Sequence, residues 1–499
     1  MPPNDDGIVH SARSIGHHMV RGAAWMVAMR WCIRGLGLIS TVILARLLTP
    51  LDFGIVAMAM VFVGLLEILL STGVDQAVIR LQQPTRQDYD SAWTLQLLVG
   101  IALGLAIFLA APAVAAFFAR PELELAIQVL SLRAVGLGAV NIGVVEFRRQ
   151  LDFAKEFRFS VARKVISFAV TLVAAAFLRN YWALIIGMVL APWLVVALSY
   201  AMQPYRPRLS LRRIVDLWRF TRWLLLANLS DFLRRQFDQF VVGRVAGVTP
   251  LANYYMANDI AVLPTVEVVW STARALLPGY AKLASQPVEI ARAYVDTLRM
   301  MALLAVPLGT GIAVTADDIV AVLLGDQWTA VGPLMHWLGL AGALMGLSGA
   351  LQPFFVALGH VRLYALIIVA EIVVYMPVAV LAVWYGGVEE MAIARVGVLG
   401  ASLPCFLWLS TRIAPLRSIE VFGALARPLL ASAVMYGAVF WLNQALQDEP
   451  AMVRLPLAVV WGIAVYAATD LLLWQLAGRP DGAERTVATR LRPKHRPST

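Results

Sequence analysis

The feature that most constrains this chain is a succession of apolar runs of helical length, each closed by charge or by a Gly/Pro cluster. About fourteen can be marked, each of ~20 residues. They lie near 22–48, 53–79, 91–119, 123–146, 159–178, 181–202, 217–243, 249–275, 295–315, 330–358, 363–384, 389–410, 428–446 and 452–476. The least regular is the fourth, which begins at Glu124 and contains Arg133. Only 14% of the 499 residues are charged and 60% are hydrophobic, where a soluble chain carries about 25% charge. The fold class that follows is an all-α polytopic membrane protein with about 14 transmembrane helices.

One stretch is written twice. Sliding the sequence by 200 positions without a gap brings Arg34 onto Arg234, Val42 onto Val242 and Thr49-Pro50-Leu51 onto Thr249-Pro250-Leu251. Ala57, Glu67 and Ser71-Thr72 meet Ala257, Glu267 and Ser271-Thr272 in the same register. Roughly nine identities in about 39 positions exceed the three or four that so apolar a composition supplies by chance. Six runs separate the copies, so both cross the bilayer in the same direction. Parallel repeats of this kind are related by a pseudo-two-fold axis along the membrane normal, with the substrate path between the lobes. The expected organisation is two parallel six-helix lobes, residues 1–214 and 215–412, joined by the basic linker Pro204 to Asp216. Two extra helices occupy 413–477, and a basic tail, 478–499, is expected to be disordered and to lie against anionic lipid.

Basic residues set the orientation. With a cytoplasmic N-terminus, Arg148, Arg149, Lys155, Arg158, Arg163 and Lys164 fall in an inner connection, as do Arg206, Arg208, Arg212, Arg213, Arg219 and Arg222. Roughly 29 of the 41 Lys and Arg are then inside, and about four (Arg120, Arg179, Arg244, Arg454) outside. Both termini are therefore expected in the cytoplasm. The same bias accounts for most of the net charge of +10 without nucleic acid as a partner.

Charged side chains at membrane depth cost at least ~2.5–3.5 kcal/mol each, so they face a cavity or a partner. Most of them here fall in the two duplicated helix pairs: Arg30, Arg34, Arg46 and Glu67 in the first, and Asp231, Arg234, Arg235, Asp238, Asp259, Glu267 and Arg274 in the second. Arg30 and Arg34 are one turn apart on one face, and Asp231/Arg235 and Arg234/Asp238 are interleaved i,i+4 pairs. One reading is a cationic lining formed by Arg30, Arg34, Arg234, Arg235 and Arg274, with Glu67, Asp238 and Glu267 as cavity acids. Arginine suits an anionic group because its planar fork holds phosphate oxygens bidentately and stays charged when buried. The other reading is that each arginine pairs with a neighbouring acid and only fixes helix packing. Arg34–Glu67 and Arg234–Glu267 are candidate intralobe pairs, by equal depth. Arg46 is expected to pair with Asp52 or to snorkel, and Arg133, Arg395, Glu371 and Asp470 to be structural.

No phosphate-cradling Gly loop with Lys and no metal-ligand spacing is present. The two cysteines, Cys32 and Cys405, sit in apolar segments, and the six histidines form no cluster. The expectation is a non-enzyme with no cofactor and no metal, whose energy comes from Na+, H+ or the membrane potential, or from removal of product.

Ala45-Arg46-Leu47-Leu48-Thr49-Pro50, Asp52-Phe53-Gly54, Arg148-Arg149-Gln150-Leu151-Asp152-Phe153, Asp238-Gln239 with Gly243, and Val322-Leu323-Leu324-Gly325-Asp326-Gln327-Trp328 carry a resemblance. Over about residues 20–330 the chain resembles the polysaccharide transport branch of the multidrug/oligosaccharidyl-lipid/polysaccharide exporter superfamily. The resemblance implies two lobes facing each other in a V, with alternating access. The implied cargo is a polyprenyl-diphosphate-linked oligosaccharide, a repeat unit of an exopolysaccharide or lipopolysaccharide, moved from the cytoplasmic to the periplasmic leaflet of a bacterial inner membrane. Polysaccharide polymerase or export machinery and the membrane lipids are the implied partners. The alternatives are a multidrug or organic-cation antiporter of the same superfamily, kept open by Glu67 and Glu267, a two-lobe sugar transporter, and a membrane glycosyltransferase, which the short outer loops disfavour.

Overall fold

A computed structural model describes residues 28–68, 78, 84–150, 152–213, 236–283 and 285–478. Among these residues every element is a helix. Eleven helices are long and apolar enough to cross a membrane, or twelve if a bent pair counts as one span. The chain divides into two compact units between Ala252 and Asn253. The copy-based lobes, 1–214 and 215–412, divide it by sequence; packing divides it at this later point.

The first unit begins with α1 (Ala28–Leu47), followed by α2 (Pro50–Glu67) and α3 (Arg86–Phe118). The fourth apolar run is not one straight helix. It is α4 (Glu122–Gly138), then a 3-10 turn and α5 (Val145–Arg149), bent by 57° at the break. The chain turns at Asn141, whose side chain accepts from the Gly143 N–H and donates to the Tyr205 carbonyl. α6 (Phe153–Leu178) and α7 (Tyr181–Met202) complete the set. Residues 236–245 are helical, and α8 (Val248–Leu283) runs across the division. The seventh apolar run lies mostly outside the described residues, as do the leading 27 residues and the tail beyond Gly478.

The Thr-Pro turn that opens the repeat explains where α2 starts. Pro50 fills the first helical position, where its missing N–H costs nothing. Thr49 and Asp52 form a capping box: the Asp52 carboxylate accepts from the Thr49 N–H at 2.9 Å and its hydroxyl at 2.6 Å. The other Asp52 oxygen accepts from the Tyr181 N–H at 2.8 Å, so one buried carboxylate fixes the starts of α2 and α7 together. In place of the expected Arg46 partner, Asp52 takes these amide and hydroxyl donors, and Arg46 is exposed. The second copy has Ala252 at the equivalent position and cannot build the box.

The second unit contains α9 (Pro287–Val314), α10 (Ala316–Leu323), α11 (Val331–Ser348), α12 (Leu351–Ala357), α13 (Val361–Gly386), α14 (Val388–Ile413), α15 (Ser418–Ala445) and α16 (Ala451–Leu476). Its core gathers Tyr294, Leu298, Phe354, Phe355 and Phe406, with the Tyr294 and Phe354 rings stacked at 3.9 Å.

The duplication reaches well beyond the 39 aligned positions. In the first unit α3 packs on α4, α4 on α7, and α7 on α6; in the second α9 packs on α11, α11 on α14, and α14 on α13. Both leading pairs cross where glycines let backbones touch. A Cβ on Gly138 would lie 3.0 Å from the Gly100 Cα, and one on Gly309 would lie 2.5 Å from the Gly339 carbonyl oxygen. The helices beyond the repeat are not loosely attached, contrary to what an appendage suggests. α15 lies along α9, and Arg454 of α16 donates from Nε to Asp318 of α10 at 2.7 Å.

Candidate functional site

Thr49 and Tyr181 mark one common face of the first unit, and depth can be counted from it at 1.5 Å per residue. Arg34 lies 13 residues before the end of α1 and Lys164 14 residues before the end of α6, so both sit about 20 Å from that face. They are also close laterally: the Lys164 Nζ comes within 3.7 Å of where a Gly37 Cβ would stand, on α1 one turn from Arg34. Arg30 is half-buried and Arg34 exposed. Three cations from two helices thus share one region of the first unit.

Lys164 was not among the candidates read from the sequence, which places it with Arg163 in the connection before the fifth run. Instead α6 starts at Phe153, capped by Asp152, which accepts from the Lys155 N–H at 3.1 Å. That early start carries Lys164 about 16 Å into the helix. The cap itself was the available signal, because Asp152 stands three residues before Lys155-Glu156 at the head of a helical pattern.

Glu67 is placed differently from the sequence reading. Its carboxylate takes the Nε of Arg133, on α4, at 2.7 Å, where Arg34 was expected as partner. Arg133 also points Nη1 at the Met188 carbonyl on α7, 3.4 Å away. Its guanidinium therefore lies where α2, α4 and α7 converge, as the structural reading of Arg133 anticipated. The second unit has a counterpart from another helix. Arg395 of α14 donates to the Tyr254 hydroxyl at 3.0 Å and to Asn258 Oδ1 at 3.1 Å, both on α8, and approaches the Met345 sulfur on α11 at 3.4 Å.

Of the remaining candidates, Asp238 is buried within the helical stretch 236–245. Arg234 and Arg235 lie outside the described residues. Glu267 and Arg274 fall on α8, but their side chains, too, lie outside the described set. The structure therefore brings together Arg30, Arg34 and Lys164 in the first unit, and assigns Glu67 to a helix clamp.

At the opposite end of the first unit the linker after α7 is fastened to the start of α3. The Asp90 carboxylate accepts from the Tyr205 hydroxyl at 2.5 Å and from the Arg208 N–H at 2.8 Å, and Thr94 Oγ1 accepts from the Ser210 N–H at 2.9 Å. Burial, then the hydrogen bond to Asp90, pushes the Tyr205 phenol well above its usual pKa. At the start of α6, the Lys155 ammonium lowers the Asp152 carboxyl below its ordinary value.

Among its described residues this is an all-helical, multi-pass membrane protein with a repeated helix-packing scheme and cations on its long apolar helices. The profile of the family described as "Polysaccharide biosynthesis protein" matches residues 43–333, more than half of the chain, and the chain belongs to that family. It is 23% identical over 452 residues to the lipopolysaccharide biosynthesis protein WzxC of Escherichia coli, covering 90% of this chain and 89% of that one. It is 23% identical over 345 residues to the succinoglycan biosynthesis transport protein ExoT of Rhizobium meliloti, covering 68% and 70%. The fold is similar to that of an inward closed lipid II flippase, MurJ, with a TM-score of 0.73 at 12% identity, covering 92% of this chain and 100% of that one.

Proposed function

We propose that this protein is a flippase that carries a polyprenyl-diphosphate-linked oligosaccharide from the cytoplasmic to the periplasmic leaflet of a bacterial inner membrane by alternating access between two six-helix lobes. The observation that carries the reading is the cationic region of Arg30, Arg34 and Lys164 in a chain of the polysaccharide biosynthesis family. A sugar diphosphate cannot cross hydrocarbon, and cations held at membrane depth replace the water its phosphates lose. Arg234, Arg235 and Arg274 of the second copy are assigned the same role, with Asp238 and Glu267 tuning their charge. The polyprenyl tail stays in lipid. Na+, H+ or the membrane potential supplies the energy, and no catalytic group or cofactor is required. Polymerase or export machinery receives the product.

Fourteen spans follow if the seventh and eighth runs, 217–243 and the α8 segment, also cross the bilayer. Both termini are then cytoplasmic, and reporter fusions after residues 150 and 210 report cytoplasm while those after 50 and 320 report periplasm. The deciding experiment is deletion of the gene in its host, followed by extraction of lipid-linked sugars. Accumulation of an undecorated repeat unit in the inner leaflet, relieved by the wild-type gene, supports flipping. No accumulation, together with raised sensitivity to organic cations, would establish the antiporter alternative.

A further inference from the structure

The linker after α7 has a chemistry that export does not use. Residues 203–213 read Gln-Pro-Tyr-Arg-Pro-Arg-Leu-Ser-Leu-Arg-Arg, with four arginines and no acid. The segment is not helical, and its backbone is fastened to α3. Arg208 and Ser210 give their N–H groups to Asp90 and Thr94, the Arg213 N–H reaches Ser91 Oγ at 3.3 Å, and Arg86 reaches the Arg206 carbonyl. Leu209 is 73% exposed and Leu211 67%. Holding two leucines out in water beside arginines is unfavourable unless something apolar receives them.

The depth of this strap says what receives them. On α3 the outward apolar residues begin at Leu98 and continue through Ile101, Leu105, Leu109 and Phe117. Nineteen residues separate the first from the last, about 29 Å of helix, which matches a hydrocarbon core of about 30 Å. Thr94, which holds Ser210, then lies only about 6 Å beyond the hydrocarbon boundary, and Asp90 about 12 Å. The strap therefore runs through the headgroup layer, with its leucines next to the acyl boundary.

We propose that residues 203–213 form a lipid-surface anchor in which Leu209 and Leu211 insert at the headgroup–acyl boundary and Arg208 and Arg212 bind anionic phospholipid headgroups. Interfacial segments bind by this combination of buried apolar area and attraction to anionic lipid, and each arginine near such a surface favours it by about fivefold at physiological ionic strength. The exposed Arg208 and Arg212 flank the leucines, so both interactions are made by one short stretch. The anchor acts on the stretch of chain that leads on from α7, and it does so whatever substrate the protein carries.

The test uses the full chain with Cys32→Ser and Cys405→Ser, carrying a single environment-sensitive fluorophore through Leu209→Cys or Leu211→Cys. It is reconstituted into vesicles of phosphatidylcholine alone or of equal parts phosphatidylcholine and phosphatidylglycerol. Blue-shifted emission, quenched by lipids bearing a nitroxide near the headgroup and quenched more strongly with phosphatidylglycerol, is the expected result. Water-like emission in both vesicles overturns the anchor, and so does dry emission that lipid nitroxides fail to quench, which means the chain covers its own leucines. A second measurement needs no label: native mass spectrometry of the unmodified protein and of Arg208→Gln/Arg212→Gln. Retained phosphatidylglycerol relative to phosphatidylcholine should fall several-fold in the variant, and an unchanged ratio rules out headgroup binding by these arginines.

Discussion

Breaking the Glu67–Arg133 clamp isolates packing from transport. The contact is a single 2.7 Å ion pair in which the glutamate side chain is 13% exposed and the arginine 25%. Removing one partner of a fully buried pair costs about 3–5 kcal/mol, because the other charge is left unpaired. The partial exposure of this pair lowers the expectation to about 2–3 kcal/mol for Glu67→Gln or Arg133→Met. At roughly 2–4 °C per kcal/mol for a unit of this size, melting should fall by about 5–10 °C in detergent. The double variant Glu67→Gln/Arg133→Met leaves no unpaired charge, so its loss should be smaller than the sum of the singles by at least ~1 kcal/mol. Fluorescence-detected melting of the four proteins gives this coupling directly. Additive losses would refute the clamp, and so would full stability but lost export in Glu67→Gln, which would return Glu67 to the substrate cavity.

Neutralising Arg34→Ala together with Arg234→Ala should abolish polymer export while leaving membrane insertion intact. Complementation of a deletion strain, with the protein quantified in isolated membranes, checks both halves. Gly309→Val should cost about 2–3 kcal/mol, since its side chain must displace the Gly339 carbonyl. Gly397→Ala, where nothing lies within 4 Å, should be neutral or favourable by up to ~1 kcal/mol; equal melting of the two would refute backbone contact at the α9–α11 crossing. In the strap, a phenol whose pKa is raised on folding binds its proton more tightly in the docked state. Docking is therefore fully supported below pH ~10 and weakens as pH rises above it. An absorbance titration of wild type minus Tyr205→Phe should show one phenol ionising well above pH 10, and ionisation near 10 would refute the buried bond to Asp90.

The helical class and the order of the long apolar helices were legible because hydrocarbon demands ~20 apolar residues per crossing; several helix ends were not, as where Ser418–Ala445 begins ten residues before its apolar run. The bend in the fourth run was not legible. Asn141 and the 3-10 turn interrupt it within an apolar context, and the signal lies in a side chain bonding to Tyr205, 64 positions away. Membrane-depth charge was legible, but its pairing was not. Arg34 and Glu67 sit at matching depth along their helices, yet rotation about the helix axis decides which neighbour a carboxylate meets, and that is set by packing. Lys164 was missed for a related reason: one aspartate cap moved the start of α6 by about two turns and turned a loop lysine into one at membrane depth.

The two arginine clamps show what the duplication preserved. Arg133 and Arg395 occupy corresponding three-helix junctions, α2 with α4 and α7 in one unit, α8 with α11 and α14 in the other. Shifted by 200 positions, Arg133 falls on Pro333 and Arg395 on Val195, so no alignment of the copies pairs them. A point where three helices converge at membrane depth leaves carbonyls and polar side chains facing one another without water. A guanidinium, with five donors in a plane, satisfies several of them at once from whichever helix supplies it. In the first unit it meets a carboxylate and a carbonyl, in the second a phenol and an amide. The requirement belongs to the packing scheme, which both copies share, and each copy has met it with a different helix. Residues of the repeat that match in sequence, such as Thr49-Pro50-Leu51, fix where helices begin. Residues that match only in place fix how the helices hold together once packed.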